Sequence, residues 1–182
     1  MAKSYFERMK PTSVCPPRLV PEQIAYSGLA GALGFLSLYI PSHYLTDLDA
    51  LYIIGPFGST AALLWGSQDA GVSQPRSVIG GHFLSSIYGV TIAKVAVALS
   101  LGPWVAGPLA IVGAIAVMQA TRTFHPAGAG TALLACVGSA GLRDLGYLYC
   151  LAPIGTGAVA LVLTAAVINN MIPGRQYPRW WY

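Results

Sequence analysis

Charge is scarce in this chain. Only 10 Lys and Arg and 6 Asp and Glu stand among its 182 residues, 9% of the total, where a soluble domain carries roughly 25%. A surface facing water needs polar side chains, and so few cannot cover one. That excludes a water-soluble globular enzyme and a disordered tail. The net charge of +4 comes from basic residues too few and too scattered to track a phosphate backbone, which excludes a nucleic-acid binder. Cysteine is scarce as well. Cys15, Cys136 and Cys150 are odd in number and lack metal-ligand spacing, and two of them sit in apolar stretches. They read as small hydrophobes, so neither a disulfide framework nor a zinc site is expected. The basic, Pro-rich start, with Lys3, Arg8, Lys10 and Arg18, is not followed by a short apolar core with a cleavage site. No removable signal peptide is expected.

Apolar residues are abundant. Hydrophobic residues make up 55% of the chain and mean hydropathy is +0.61. The charges fall in clusters separated by long gaps: 24 uncharged residues between Glu22 and Asp47, 27 between Lys94 and Arg122, 30 between Asp144 and Arg175. A spanning helix needs about 20 mostly apolar residues. The chain therefore reads as an all-α, multi-pass membrane protein. Six apolar segments are expected, near 23–40, 51–66, 78–101, 104–120, 126–141 and 147–171. Backbone groups in lipid must bond internally, so the spans should be helices. The division is a cytoplasmic N-terminal segment 1–22, one transmembrane domain 23–171 and a cytoplasmic interfacial tail 172–182. Positive residues set the orientation, with both termini, Arg76 and Arg122 on the cytoplasmic side and Arg143 outside. Tyr177, Trp180, Trp181 and Tyr182 read as an interfacial aromatic anchor.

Segments two and five differ in kind. Each has about 16 residues, about 24 Å of helix, short of a hydrocarbon core of ~30 Å. Each carries a Pro-x-Gly, Pro56-Phe57-Gly58 and Pro126-Ala127-Gly128. Both read as half-helices that start inside the membrane at their Pro. Residues 55–64 and 125–134 also align, with five of ten positions identical at a shift of 70. The chain then looks like two three-segment halves, about 23–101 and 104–171. An odd segment number inserts the halves in opposite orientation, the inverted-repeat plan of many transporters.

A helix N-terminus leaves amide N–H groups free and carries partial positive charge, so it attracts anions. Two such ends entering from opposite faces would aim at one central site. The residues expected there are Gly55, Phe57, Gly58, Ser59 and Thr60 from the first motif, and His125, Gly128, Ala129, Gly130 and Thr131 from the second. Thr60 and Thr131 add hydroxyl donors, and Phe57 would narrow the path. Lys94 and His82 are ionisable groups inside apolar segments, which mark function because they are costly there. Lys94 equally suits snorkelling toward an interface, and His82 a packed core histidine. Gly28, Gly31, Gly34, Gly155 and Gly157 read as helix-packing glycines. No Asp or Glu lies mid-segment, and a cation path would need acidic or carbonyl-rich ligands. The balance favours an anion.

The stretches Gly55-Pro-Phe-Gly-Ser-Thr-Ala-Ala-Leu-Leu, Gln74-Pro-Arg-Ser-Val-Ile-Gly-Gly-His82 and Thr123-Phe-His-Pro-Ala-Gly-Ala-Gly-Thr-Ala-Leu-Leu134 resemble the HPP family of integral membrane proteins. So do Asn169-Asn170, Tyr177-Pro178 and Trp180. The resemblance runs over about residues 23–182. The family takes its name from His-Pro-Pro; this chain reads His125-Pro126-Ala127 and lacks the second Pro. The resemblance implies nitrite transport, an activity attributed to members in cyanobacteria and chloroplasts. Nitrite is a small monovalent anion that needs donors and partial positive charge rather than a metal or a nucleophile.

The expected function is therefore passage of nitrite or a similar small inorganic anion through a bacterial inner membrane. The expected partners are that anion and the lipid bilayer, with no cofactor and no nucleic acid; a homo-oligomer is compatible. The rival expectation is a membrane scaffold or regulatory subunit without a path, its Pro-x-Gly turns serving as packing devices. An enzyme is not expected. Ser85, Ser86 and His82 are close in sequence, but no catalytic set stands at a recognised spacing.

Overall fold

A computed structural model describes residues 9, 13–15, 17–42 and 47–182, the positions 39–42 and 47–54 by backbone alone. Lys3, Arg8 and Lys10 lie outside the described residues. Among the described residues there are seven α-helices and no strands. They are α1 (Pro21–Ser42), α2 (Asp47–Gly66), α3 (Pro75–Ala98), α4 (Pro103–Ala120), α5 (Pro126–Val137), the short α6 (Ala140–Asp144) and α7 (Thr156–Met171). Three stretches among the described residues are long and apolar enough to cross a bilayer: α3, α4 and Cys150–Met171. α1 and α2, with 22 and 20 residues, are of comparable length.

The six expected segments map onto α1 to α5 and the 147–171 stretch. Proline sets several of the starts. α3, α4 and α5 each open with Pro at the first helical position, where its missing N–H is not needed and its fixed φ is already helical. The last span is interrupted. Ala152, ahead of Pro153, is extended at φ −137°, ψ 127° inside the wide turn Cys150–Gly155, and α7 begins after it. A residue preceding Pro is driven out of the helical region.

The sequence expectation fails at Pro56. It does not start a half-helix. It lies inside α2, which runs unbroken from Asp47 to Gly66. Proline there forfeits one backbone hydrogen bond, and neighbouring hydroxyls turn to nearby carbonyls: Ser59 Oγ donates to Gly55 O and Thr60 Oγ1 approaches Pro56 O at 3.0 Å. Pro126 does behave as expected. His125 is extended at φ −137°, ψ 112°, and α5 starts behind it as a helix of 12 residues, about 18 Å long. The two aligned motifs thus take different backbone forms, one mid-helix and one at a helix start. The picture of two opposed helix tips is replaced by one tip, on α5, facing the side of α2.

Small residues bring α3 and α5 into backbone contact. A Cβ at Gly89 would lie 2.5 Å from Ala132 O and 2.6 Å from its Cα, and one at Gly81 would lie 2.7 Å from both Thr123 O and His125 Cβ. In lipid, where apolar side chains gain little by leaving their surroundings, such close approach is what holds helices together. Gly34 and Gly157 do serve packing, accepting the rings of Trp65 and Phe57, whereas Gly28 and Gly31 have nothing within 4 Å. Cys136 and Cys150 are buried between helices and unpaired. The outward faces carry Leu29, Leu33 and Leu36 on α1, Trp104, Leu109 and Val112 on α4, and Leu163, Val167 and Met171 on α7, as lipid contact requires.

The C-terminal tail docks against the bundle rather than serving wholly as an interfacial anchor. Tyr177 is only 1% exposed and its hydroxyl donates to Ser73 O at 2.8 Å. Burial pushes its phenol pKa well up, so it stays a donor at any ordinary pH. Arg175 donates to Trp65 O, Asn169 Oδ1 and Ser27 Oγ, binding the tail to α1, α2 and α7 together. Arg179 pairs with Asp69 at 2.6 Å on the surface. Trp180, Trp181 and Tyr182 are exposed as an aromatic anchor would be. Tyr177→Phe strands a buried carbonyl and should cost about 1–2 kcal/mol. It is expected to lower the melting midpoint of detergent-purified protein; an unchanged midpoint would contradict the docking.

Candidate functional site

The interior of the bundle holds a polar cluster, unusual in a chain so poor in polar groups. Thr60 of α2, His82 of α3, and His125 and Thr131 of α5 are each 0% exposed. Thr60 Oγ1 stands at the centre, 2.8 Å from His82 Nε2 and 2.9 Å from His125 Nε2. The two imidazoles lie 5.0 Å apart, centre to centre. His82 Nδ1 meets Thr131 Oγ1 at 2.7 Å, and His125 Nδ1 meets Val72 O at 2.7 Å. Tyr149, just ahead of the break in the last span, donates to Thr131 O at 3.0 Å. Phe57 closes the cluster from the α2 side, its ring 5.2 Å from that of His82 and pressed by Gly157 of α7.

Local geometry explains the convergence. Thr60 lies one turn after Pro56, and Pro56 packs on Gly130, its Cγ 3.6 Å from where a Cβ would sit. That contact brings α2 against the start of α5. Gly81 lets α3 slide up to His125, and Gly89 does the same at Ala132. The glycines around the cluster are therefore spacers that set how near the two histidines come. Gly128 belongs to this group: a Cβ there would lie 2.9 Å from Gly81 O, Met118 Sδ and Ser85 Oγ alike. Ser85, one turn along α3 from His82, is fully buried and its hydroxyl makes no hydrogen bond.

Of the expected site residues, Phe57, Thr60, His82, His125, Gly128 and Thr131 are gathered in one place. Gly58, Ala129 and Gly130 lie on the rim, half-buried, while Gly55 and Ser59 are exposed on the other side of α2. Lys94 is elsewhere. It is exposed, and its Nζ lies 5.6 Å over the Tyr147 ring. Twelve residues of helix separate it from His82, about 18 Å. Lys94→Ala is therefore expected to change solute passage through the cluster by less than about twofold; a loss beyond tenfold in a flux assay would return Lys94 to the site. Sequence reasoning missed Tyr149, Val72 and Ser85 as members of the cluster. Tyr149 and Val72 contribute through backbone neighbours across the fold, which no spacing in the chain reveals. Among the described residues no group of three or more His, Cys, Asp or Glu is arranged to hold a metal.

The basic residues sort by end. Arg76 donates to Thr121 O beside Arg122, and Arg175 and Arg179 lie by the connection that follows α2. Lys94 and Arg143 share a cavity at the far end of α3.

Comparison with known proteins agrees with this architecture. The HPP transmembrane region matches residues 16–178. A Dictyostelium discoideum transmembrane protein is 33% identical over 179 residues, covering 98% of this chain and 57% of the relative. A second from the same organism is 37% identical over 169 residues, covering 92% and 59%. The chain thus spans less than two thirds of the length of these curated relatives. No solved structure matches. The motifs, the helical membrane architecture and these matches agree: the chain belongs to the HPP family of integral membrane proteins.

Proposed function

We propose that this membrane protein passes a small monovalent anion, nitrite being the best candidate, and that the cluster of Thr60, His82 and His125 is the crossing point. One observation carries the reading: two histidines and two threonines fully buried where α2, α3 and α5 meet, in a protein that buries no Asp, Glu, Lys or Arg among the described residues. Burying such groups in a membrane protein is costly, and they collect where solutes pass. The cluster is rich in donors: two hydroxyls, imidazole N–H groups, and the unused hydroxyl of Ser85. It contains no carboxylate, which would repel an anion. The α5 N-terminus adds partial positive charge beside His125. In this conformation the cluster is occluded, with Phe57 as its cover. Passage then needs Phe57 and its Gly157 support to shift, which alternates access to a fixed site.

The termini are placed on the cytoplasmic side, with Arg76, Arg122, Arg175 and Arg179 at one end in keeping with the bias of positive residues. The curated relatives come from a eukaryote, so they do not favour a bacterial inner membrane over another membrane. The scaffold reading draws on the same tight glycine contacts and would use the histidine–threonine bonds as links between helices, but it gives the unbonded hydroxyl of the buried Ser85 nothing to do.

The test is flux. Purified protein in liposomes should admit nitrite faster than protein-free vesicles, and faster than it admits sulfate. Entry no faster than in protein-free vesicles would reject the reading.

A further inference from the structure

The hydrogen bonds of the cluster fix which atoms carry protons, and that has a consequence for what must travel with the anion. The Val72 carbonyl only accepts, so His125 Nδ1 is the N–H that donates to it. In a neutral His125 the other nitrogen, Nε2, is then a bare acceptor, and it points at Thr60. Thr60 must give it its hydroxyl proton. The lone pair of Thr60 Oγ1 in turn receives the N–H of His82 Nε2, and His82 Nδ1 accepts from Thr131. Every proton in the resting cluster is placed by one carbonyl.

An anion finds no donor on His125 in this arrangement. Its inward nitrogen is an acceptor, taken up by the Thr60 hydroxyl, and the one N–H of the ring is held by Val72 O. That changes when a proton joins His125 Nε2. The ring then donates from both nitrogens, to Val72 O and inward. Thr60 loses nothing in the exchange, because its hydroxyl has a second acceptor in Pro56 O at 3.0 Å. Among the described residues, the titratable group facing His125 is His82 of α3. α2 presents Thr60, the 71–73 turn presents the Val72 carbonyl, and no carboxylate, lysine or arginine touches the ring. The anion itself is the negative partner that would hold the proton there.

We infer that the protein is a proton–anion cotransporter: His125 Nε2 takes one proton for each anion that enters the cluster and gives it up when the anion leaves. The inference rests on the anion reading above and names its second substrate. The proton comes from water on the side of entry and returns to water on the other. No heavy-atom bond forms or breaks, and nothing is oxidised or reduced. The complete cycle moves no net charge.

The test uses the full chain in liposomes at mildly alkaline pH, where little nitrite is present as the membrane-permeant acid, with protein-free vesicles subtracted. Nitrite entry and internal pH are recorded together while a potassium gradient with valinomycin clamps the voltage. The expected result is one proton per nitrite and a final nitrite ratio that ignores the voltage. For an uncoupled anion, 100 mV positive inside would raise that ratio about 50-fold; such a response, without proton entry, overturns the inference and leaves anion passage standing. Absence of nitrite flux overturns both. His125→Gln offers an amide N–H that cannot take up a proton, so its residual nitrite entry should follow voltage and lose its protons; retained one-to-one coupling would take the role away from His125. A second measurement needs no variant. Nitrogen-15 spectra of the imidazoles in the unaltered protein should show His125 protonated on Nδ1 alone without nitrite and on both nitrogens at saturating nitrite. A His125 that carries its proton on Nε2 at rest contradicts the inference directly.

Discussion

His82→Leu is expected to cut nitrite entry by about 100-fold while leaving a folded protein. The first half follows from the donors. His82 reaches Thr60 with one nitrogen and Thr131 with the other, so its loss removes one of the two links between α2 and α5 in the cluster and leaves the Thr60–His125 bond alone. A buried hydrogen-bonding group that meets a charged solute is worth about 1.5–3 kcal/mol, which is one to two powers of ten in rate. The second half follows from what is left. Leucine is close to histidine in bulk, and neither threonine is stranded. Thr60 keeps His125 and Pro56 O as partners, and Thr131 keeps Ala127 O at 3.4 Å. Flux in liposomes and thermal unfolding in detergent give the two readings. Undiminished flux would remove His82 from the path. A collapse of folding with no soluble protein would mean that its role is structural.

Gly89→Ala is expected to be the most damaging single methyl in the bundle. Its Cβ would meet Ala132 O at 2.5 Å, Cα at 2.6 Å and C at 2.9 Å. All three are backbone atoms of α5, so no side chain can swing aside. The helices must part, and overpacking of this kind costs about 1–3 kcal/mol, with more where the backbone cannot yield. The displacement falls next to Thr131, which holds His82. Stability and flux should therefore fall together. Gly31→Ala is the contrast: nothing lies within 4 Å of its new methyl, and a helix gains about 0.5–1 kcal/mol from the change. Equal melting midpoints for the two variants would show that α3 and α5 do not touch at Gly89.

Much of this was legible in the sequence because the physics behind it is local. Long gaps between charges gave the spans, since lipid tolerates few ionised groups. Pro126 gave the start of α5, because the residue before proline is forced out of the helix. His82 and His125 stood out as ionisable groups in apolar runs. Pro56 misled for an equally physical reason. The same ring that favours a helix start can be carried inside a helix at the loss of one backbone hydrogen bond, and here Pro56 also packs against Gly130 of α5. Length and composition do not separate the two. Lys94 misled because a basic side chain inside a hydrophobic run looks alike whether it faces a cavity or bends toward an interface. Tyr177 reads as a lipid anchor beside Trp180, Trp181 and Tyr182, but its hydroxyl's partner, Ser73 O, lies 104 residues away. That Thr60 would bridge two histidines from different helices depends on the glycines that let α3 and α5 close, and such contacts are properties of the fold.

Whether Thr60 and His82 act as one transport site is tested most directly by a double-mutant cycle on nitrite entry. Wild type, Thr60→Val, His82→Leu and the double variant are compared at equal protein density in liposomes. Two groups that bind one solute together lose their joint effect once, so the double variant should be about as slow as the slower single variant. Losses that multiply would place the two residues on separate steps and contradict a shared site.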